Sequence, residues 1–286
     1  MDYLAGRHPW PWHISFCGDF DIVGHPKPQS AYRRVLWGVE SIRMLVHGPT
    51  RHSELPPPWM PNHFNWDWPM ELDSWTWPGA EGHLVGIRVF ARGCEFAALT
   101  LNEEHLGTAR FQENLTAVFT AVYMPGKLTA TCLNRSTSIP SISTSLETAG
   151  EAAMLTLVAD RSVIAHDLND LSYVTATVVD AAGLRVPNAQ IPVTFQVHGA
   201  GRLIAVGSGD PSDPGSFEGP VRTTWRGRAV AVLQPMLGEA GNITLTATAA
   251  GLKPSRVVIR TCVGLEGPGL RGRAGPTNRL DGVGEE

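Results

Sequence analysis

The chain is short of cysteine, of basic runs and of long apolar stretches, and each shortage removes a class of function. Its four cysteines, Cys17, Cys94, Cys132 and Cys262, lie far apart and form no C-x-x-C pair. That spacing argues against a zinc knuckle and favours buried free thiols over a disulfide. Lys and Arg together number 23 against 27 Asp and Glu, a net charge of -4, and no basic run occurs. Nucleic acid is therefore not an expected partner. No apolar run is long enough to cross a membrane, so no membrane partner is expected either. The N-terminus has no charged start followed by an apolar core, so no signal peptide is visible and the compartment stays unknown. A G-x-S-x-G motif is missing too. Gly207-x-Gly209-Asp210 is a lone glycine-rich turn with no strand–helix frame to make it a phosphate cradle, and no cofactor is expected.

Tryptophan, by contrast, is abundant at one end. Of the 9 tryptophans only Trp225 lies beyond residue 78, so the two ends of the chain differ in kind. Clustered indoles either offer a stacking face to a pyranose or fill a crowded domain interface, and the second is the commoner use of so much apolar area. Phe16 to Trp37 is the densest stretch. Asp19 and Asp21 stand one residue apart between Gly18 and Gly24, and Lys27 follows between Pro26 and Pro28. From Ser30 the apolar residues Tyr32, Val35, Leu36 and Val39 keep helical spacing, with Ser30 placed as the cap. Residues 49–79 read as a connector: Pro56-Pro57-Pro58 forbids helix and central strand. The W-x-W pairs Trp66/Trp68 and Trp75/Trp77 would each turn two indoles to one side of an extended segment.

The remainder alternates with period two between turn signals, as sandwiches do. One sandwich is expected over 80–148, with strands near 84–90, 97–101, 116–123 and 128–133. A Ser/Thr-rich join follows at 136–150. A second, immunoglobulin-like sandwich is expected over 149–262, with strands near 153–159, 174–180, 191–198, 230–234 and 243–249. The Gly- and Arg-rich 263–286 has too little apolar content to fold and is expected to be disordered.

The run GDFDIVGHPKPQSAYRRVLWG resembles the segment that closes the catalytic barrel in β-galactosidases of glycoside hydrolase family 2. Those enzymes carry G-D-x-D, then G-x-x-K-P-Q-S, then Y-R and a Trp. Met1-Asp2-Tyr3-Leu4 is similar to the end of the family's W-x-x-x-D-Y-L segment. LTLNEEHLG resembles its E-L-x-L-N-G-x-x-L-G hairpin, with Glu103 in place of the turn glycine and Ala98 in place of the usual Glu. Leu146 to Gly150 resembles its T-A-G handover between small domains. The fold implied is mainly β: two immunoglobulin-like sandwiches preceded by a remnant of an (α/β)8 barrel over 1–48.

The function implied is the C-terminal portion of a retaining glycosidase acting on terminal β-linked sugars. The family's two catalytic glutamates lie upstream of the D-Y-L segment, so no catalytic residue is expected here, and the chain alone is expected to be inactive. A separately supplied N-terminal part of the enzyme is then a natural partner, beside a β-galactoside-like carbohydrate. Asp19, Asp21 and Lys27 are the candidate substrate contacts. An acid pair stands where the family's glucuronidases carry Asn-x-Lys for the uronic carboxylate, which points to a neutral sugar. Two further readings remain open. Asp19 and Asp21 suit a structural hydrogen-bond network better than a substrate contact, with Lys27 bridging an Asp, and His13 and His25 beside the acids could form a metal set, although their spacing fits no named site. The competing function is a non-catalytic carbohydrate-binding or spacer module.

Overall fold

The computed structural model describes residues 10–11, 18–49, 71–134 and 142–262. Met1 to Leu4, His13, Cys17, the three-proline run, Trp66, Trp68 and the tail from 263 lie outside the described residues. What is described is mainly β, with two sandwiches and the single helix α1 (Ser30–Leu36).

The first sandwich contains β1 (Ile42–His47), β2 (Glu71–Leu72), β3 (Leu84–Ala91), β4 (Phe96–Leu101), β5 (Glu104–Arg110), β6 (Thr116–Val122), β7 (Lys127–Leu133) and β8 (Ser143–Glu147). One sheet runs β2-β1-β3-β6 and faces a second, β5-β4-β7-β8. Alternation puts Val85, Ile87 and Val89 of β3 inside, opposite Leu99 of β4 and Leu128 and Ala130 of β7. Trp75 closes this core at 0% exposure. Its ring meets Tyr123 edge-on at 5.0 Å, and its Nε1–H donates to the Met124 carbonyl. The outer face of β3 is covered as well: Ala31 and Val35 of α1 rest on Leu45 and Phe90. A strand buried on both faces explains why the 84–91 run carries few polar residues.

The second sandwich contains β9 (Met154–Ala159), β10 (Val163–Ala165), β11 (Ser172–Val179), β12 (Pro192–Gly199), β13 (Gly201–Gly207), β14 (Val221–Thr223), β15 (Arg228–Pro235), β16 (Gly241–Thr248) and β17 (Ser255–Cys262). Its sheets run β10-β17-β16-β12-β14 and β13-β15-β11-β9. Val174, Ala176 and Val178 from one sheet meet Val193, Phe195, Ile243 and Leu245 from the other, all within about 1% of full burial.

The joint between the sandwiches is hydrogen-bonded on both sides. Thr148 Oγ1 donates to the Trp75 carbonyl at 2.7 Å, and Ala149 N–H donates to Thr76 Oγ1 at 2.9 Å. Gly150 N–H donates to Asp180 Oδ2 at 2.7 Å, while Asp180 Oδ1 accepts from Ala182 and Leu184 at 2.9 Å.

Several boundaries differ from expectation, each for a local reason. The break expected at residue 48 falls after a strand of the first sandwich, since β1 pairs along its whole length with β3. Glu71–Leu72 likewise pairs with β1, so the expected connector supplies part of that sheet. Ser143–Glu147 in the expected join is an edge strand on β7. Ser30 is the first helical residue, not the cap; Gln29 holds that position without a side-chain bond, and Ser30 Oγ donates to the Lys27 carbonyl. Val39 falls outside the helix, whose end precedes Gly38 at φ +75°.

Cysteine is the plainest correction. Cys94 and Cys132 form a disulfide with their Cα atoms 5.6 Å apart, while Cys262 is free. Their sequence separation of 38 hides the pairing; it is the register of β4 on β7 that brings them together. Closing a loop of that size stabilises a fold by about 3–4 kcal/mol. Reduction, or Cys94→Ser with Cys132→Ser, is expected to lower the unfolding free energy by that amount and so to lower the denaturant midpoint. An unchanged midpoint would mean that these thiols are not joined.

Candidate functional site

The loop that carries the candidate residues is tightly self-bonded. Asp21 N–H donates to the His25 carbonyl at 2.9 Å, Gly24 N–H to the Asp21 carbonyl at 3.1 Å, and Lys27 N–H to the Asp19 carbonyl at 2.7 Å. Gly24 sits at φ +85°, a region that L side chains rarely occupy. Within this turn Asp21 Oδ1 accepts the N–H groups of Val23 and His25 at 3.0 and 2.9 Å. Asp19 lies outside the turn and faces α1, where Arg33 donates to its carboxylate at 2.7 and 3.0 Å. The two acids thus serve different partners. Burial pushes the Asp21 carboxyl up, but the bonds from His25 and Val23 outweigh it and hold its pKa below the ordinary aspartate value.

The loop also ties α1 to the second sandwich. His25 Nε2 lies 3.0 Å from Thr175 Oγ1 on β11, and its Nδ1 lies 3.7 Å from Asp21 Oδ2. Gly209 is required here: a Cβ on it would stand 2.1 Å from Asp21 Oδ2. His25 is therefore occupied in holding the loop, and His13 lies outside the described residues.

Between this loop and the two sandwiches lies a cavity of about 300 Å³. Asp21 and Lys27 belong to its wall and Asp19 does not. The first sandwich contributes His47, Glu71, Asp73 and Trp77, and the second contributes Trp225, Arg226 and Arg228. Trp77 reaches its place because residue 48 is glycine; a Cβ there would come within 2.5 Å of the indole.

Each carboxylate of the wall already has a partner. Glu71, 0% exposed, takes two N–H bonds at 2.5 Å from Arg88, and burial nonetheless pushes its pKa up. Asp73 accepts from Arg185 of the second sandwich at 2.9 Å, with Arg228 3.9 Å from its other oxygen. Burial, aided by Arg88, pushes His47 below the usual histidine range and so keeps it neutral.

Arg226 occupies the tip of a two-residue hairpin. Trp225 and Arg228 exchange both backbone bonds, at 2.8 and 2.9 Å. Arg226 and Gly227 between them take φ of +50° and +74°. Sequence reasoning missed these second-sandwich residues. The Arg-Gly turn is legible as a turn, but nothing local signals that its tip meets a loop some 200 positions upstream.

Residues 155–258 match the family model described as glycoside hydrolase family 2 C-terminal domain 5. The chain is similar to a β-galactosidase from Bacteroides ovatus, 27% identical over 256 residues, covering 88% of this chain and 26% of that protein. A solved glycosyl hydrolase family 2 member from Bacteroides cellulosilyticus is 32% identical with a TM-score of 0.74, covering 86% of this chain and 32% of the other. A β-glycosidase from Bacteroides vulgatus shares the fold at 22% identity and a TM-score of 0.72, covering 90% and 29%. Over residues 155–258 the chain is thus similar to the family's C-terminal domain, and it spans about a quarter to a third of the length of these relatives.

The loop's dependence on Asp21 gives a testable sign. A carboxylate whose folded pKa is depressed contributes stability that is present above its unfolded pKa, near 4, and lost as pH falls through the folded value. Asp21→Ala is expected to cost about 1–3 kcal/mol at pH 7. It is also expected to lose less stability than the parent chain between pH 5 and pH 3. Thermal melts across that range check both parts; equal acid sensitivity in the two chains would place the titrating group elsewhere.

Proposed function

We propose that this chain is the C-terminal portion of a retaining β-galactosidase-like glycoside hydrolase that acts on terminal β-linked sugars, and that it is catalytically inert by itself. The observation that carries this reading is the engagement of the acids. Retaining hydrolysis needs two carboxyl groups about 5–5.5 Å apart, one free to attack and one with a raised pKa to deliver a proton. Asp19 is held by Arg33, Asp21 by its own turn, Glu71 by Arg88 and Asp73 by Arg185. None of these four is disposed for that work, which fits a catalytic pair supplied by an N-terminal part of the enzyme.

The surface of the helical segment supports the same reading. Its inner residues rest on the first sandwich, while Leu36, Trp37 and Val39 stand 41%, 69% and 63% exposed and Phe20 of the preceding loop 59%. A helix that covers a sheet with one side and shows large apolar groups on the other fits the last piece of a barrel whose remaining strands come from an N-terminal part. On this reading Asp19 is a structural residue. Asp21 and Lys27 remain substrate contacts only in so far as the completed barrel brings a sugar to them.

The full chain is expected to give no turnover of a chromogenic β-galactoside above the uncatalysed rate. Turnover that Asp21→Ala or Glu71→Gln abolishes would overturn the proposal, since it would place a catalytic acid within these residues.

A further inference from the structure

The cavity wall contains a cation that forms no ion pair among the described residues. Among the described residues the Arg226 side chain makes no hydrogen bond or ion pair, and its nearest ring contact is the face of Trp225 at 5.9 Å. A guanidinium carries five N–H donors in a fixed fork, and a partly buried one is ordinarily paired. Burial pushes its pKa below the usual arginine value; Asp73 and Asp21 oppose that and Arg185 adds to it, but neither carboxylate comes within ion-pair distance. The wall holds two more unmet nitrogens, His47 Nδ1 and Trp77 Nε1, both buried without a partner among the described residues.

The backbone makes the same point independently. Arg226 is held at φ +50° in a tight hairpin, where Gly, Asn and Asp are favoured. An arginine at such a position is kept against the local preference, and within the hairpin its side chain makes only the long contact with the Trp225 ring. The backbone there is fixed by other means: Arg185 donates to the Arg226 carbonyl at 3.0 Å, and Gly227 is pressed against Val186, whose carbonyl would lie 2.4 Å from a Cβ. Strained residues of this kind cluster at binding sites.

We infer that the cavity takes a sugar unit bearing a carboxylate or sulfate group, with Arg226 receiving the charge and Trp77 and Trp225 supplying apolar faces for the ring. A guanidinium fork matches the paired oxygens of either group, and an indole suits the C–H face of a pyranose. At about 300 Å³ the space is at the small end for ligand sites. Asp21 on the facing wall would repel an anion, but its Oδ1 is committed to Val23 and His25 and its Oδ2 faces His25 and Gly209. The site needs no catalytic acid, so it stands whether or not the chain completes a hydrolase.

The test uses the full chain with D-galacturonate, galactose 6-sulfate, D-galactose and inorganic sulfate. Binding is followed by calorimetry and by the indole N–H signals of Trp77 and Trp225. At least one charged sugar is expected to bind and to shift both signals, with galactose and inorganic sulfate each at least tenfold weaker. Which charged sugar binds separates carboxylate from sulfate. Arg226→Asn is expected to weaken binding at least tenfold while leaving the melting temperature equal or higher, because Asn suits the turn better than Arg. Trp225→Ala is expected to weaken binding too. Galactose binding as tightly as the charged sugars would overturn the inference. So would inorganic sulfate doing so, no binding by any probe, or an Arg226→Asn chain that binds normally or melts at a lower temperature.

Discussion

The cavity exists only while the two sandwiches hold one placement, and that placement depends on the carboxylate of Asp180. It sits in the second sandwich at 5% exposure and receives the N–H of Gly150, the residue at which the chain passes from one sandwich to the other. Burial pushes the Asp180 carboxyl up, but the N–H groups of Gly150, Leu184 and Ala182 together hold its pKa below the ordinary value. Charge-assisted bonds of this kind are roughly twice as strong as neutral ones. On the other side of the joint Thr148 donates to the Trp75 carbonyl and Ala149 donates to Thr76, which ties the linker to the first sandwich. A linker bonded at both ends is a hinge with no free rotation, and Asp73–Arg185 closes the remaining gap across the wall.

The helix and its loop follow from that rigidity. Alone, a seven-residue helix is too short to persist in water. Here its inner side is taken up by Leu45 and Phe90 of the first sandwich, with Tyr32 meeting Phe90 edge-on at 5.6 Å. Its leading loop is fixed to Thr175 of the second. One short segment therefore spans both sandwiches. It does so at the mouth of their joint, where the Asp21 turn and the Arg226 hairpin form facing walls.

Much of the fold was legible because period-two burial is a local property. The strands around Ile87, Leu99, Val174 and Phe195 announce themselves by alternation, and the turns at Asn102-Glu103 and Gly199 to Gly201 by composition. What was not legible was set at long range. Nothing near Ile42 says that it belongs to a sheet with Leu84, since β1 finds β3 across the whole intervening connector. Nothing near Cys94 names Cys132. The candidate acids show the same limit: their spacing at Asp19 and Asp21 suggested a shared target, yet the chain reverses at Gly24 and sends one to α1 and leaves the other inside its turn. The substitution of Glu103 for the family's turn glycine left the hairpin intact, with Asn102 and Glu103 at φ +50° and +71°.

That hairpin and the one bearing Arg226 are a matched comparison. Both are two-residue turns that begin with a residue at φ +50°. Asn102 has a structural reason to be there: its Oδ1 accepts from Lys127 N–H at 2.8 Å, its Nδ2 donates to the Pro125 carbonyl at 3.0 Å, and both bonds bind one hairpin to the next. Asparagine tolerates this conformation and its amide offsets the remaining cost. Arg226 has neither advantage. Among the described residues its side chain makes no hydrogen bond or ion pair and touches only the Trp225 ring of its own turn, and it lies in the cavity wall rather than in solvent. Folding physics accounts for the first residue completely and leaves the second unexplained unless its cation has a partner that arrives from outside.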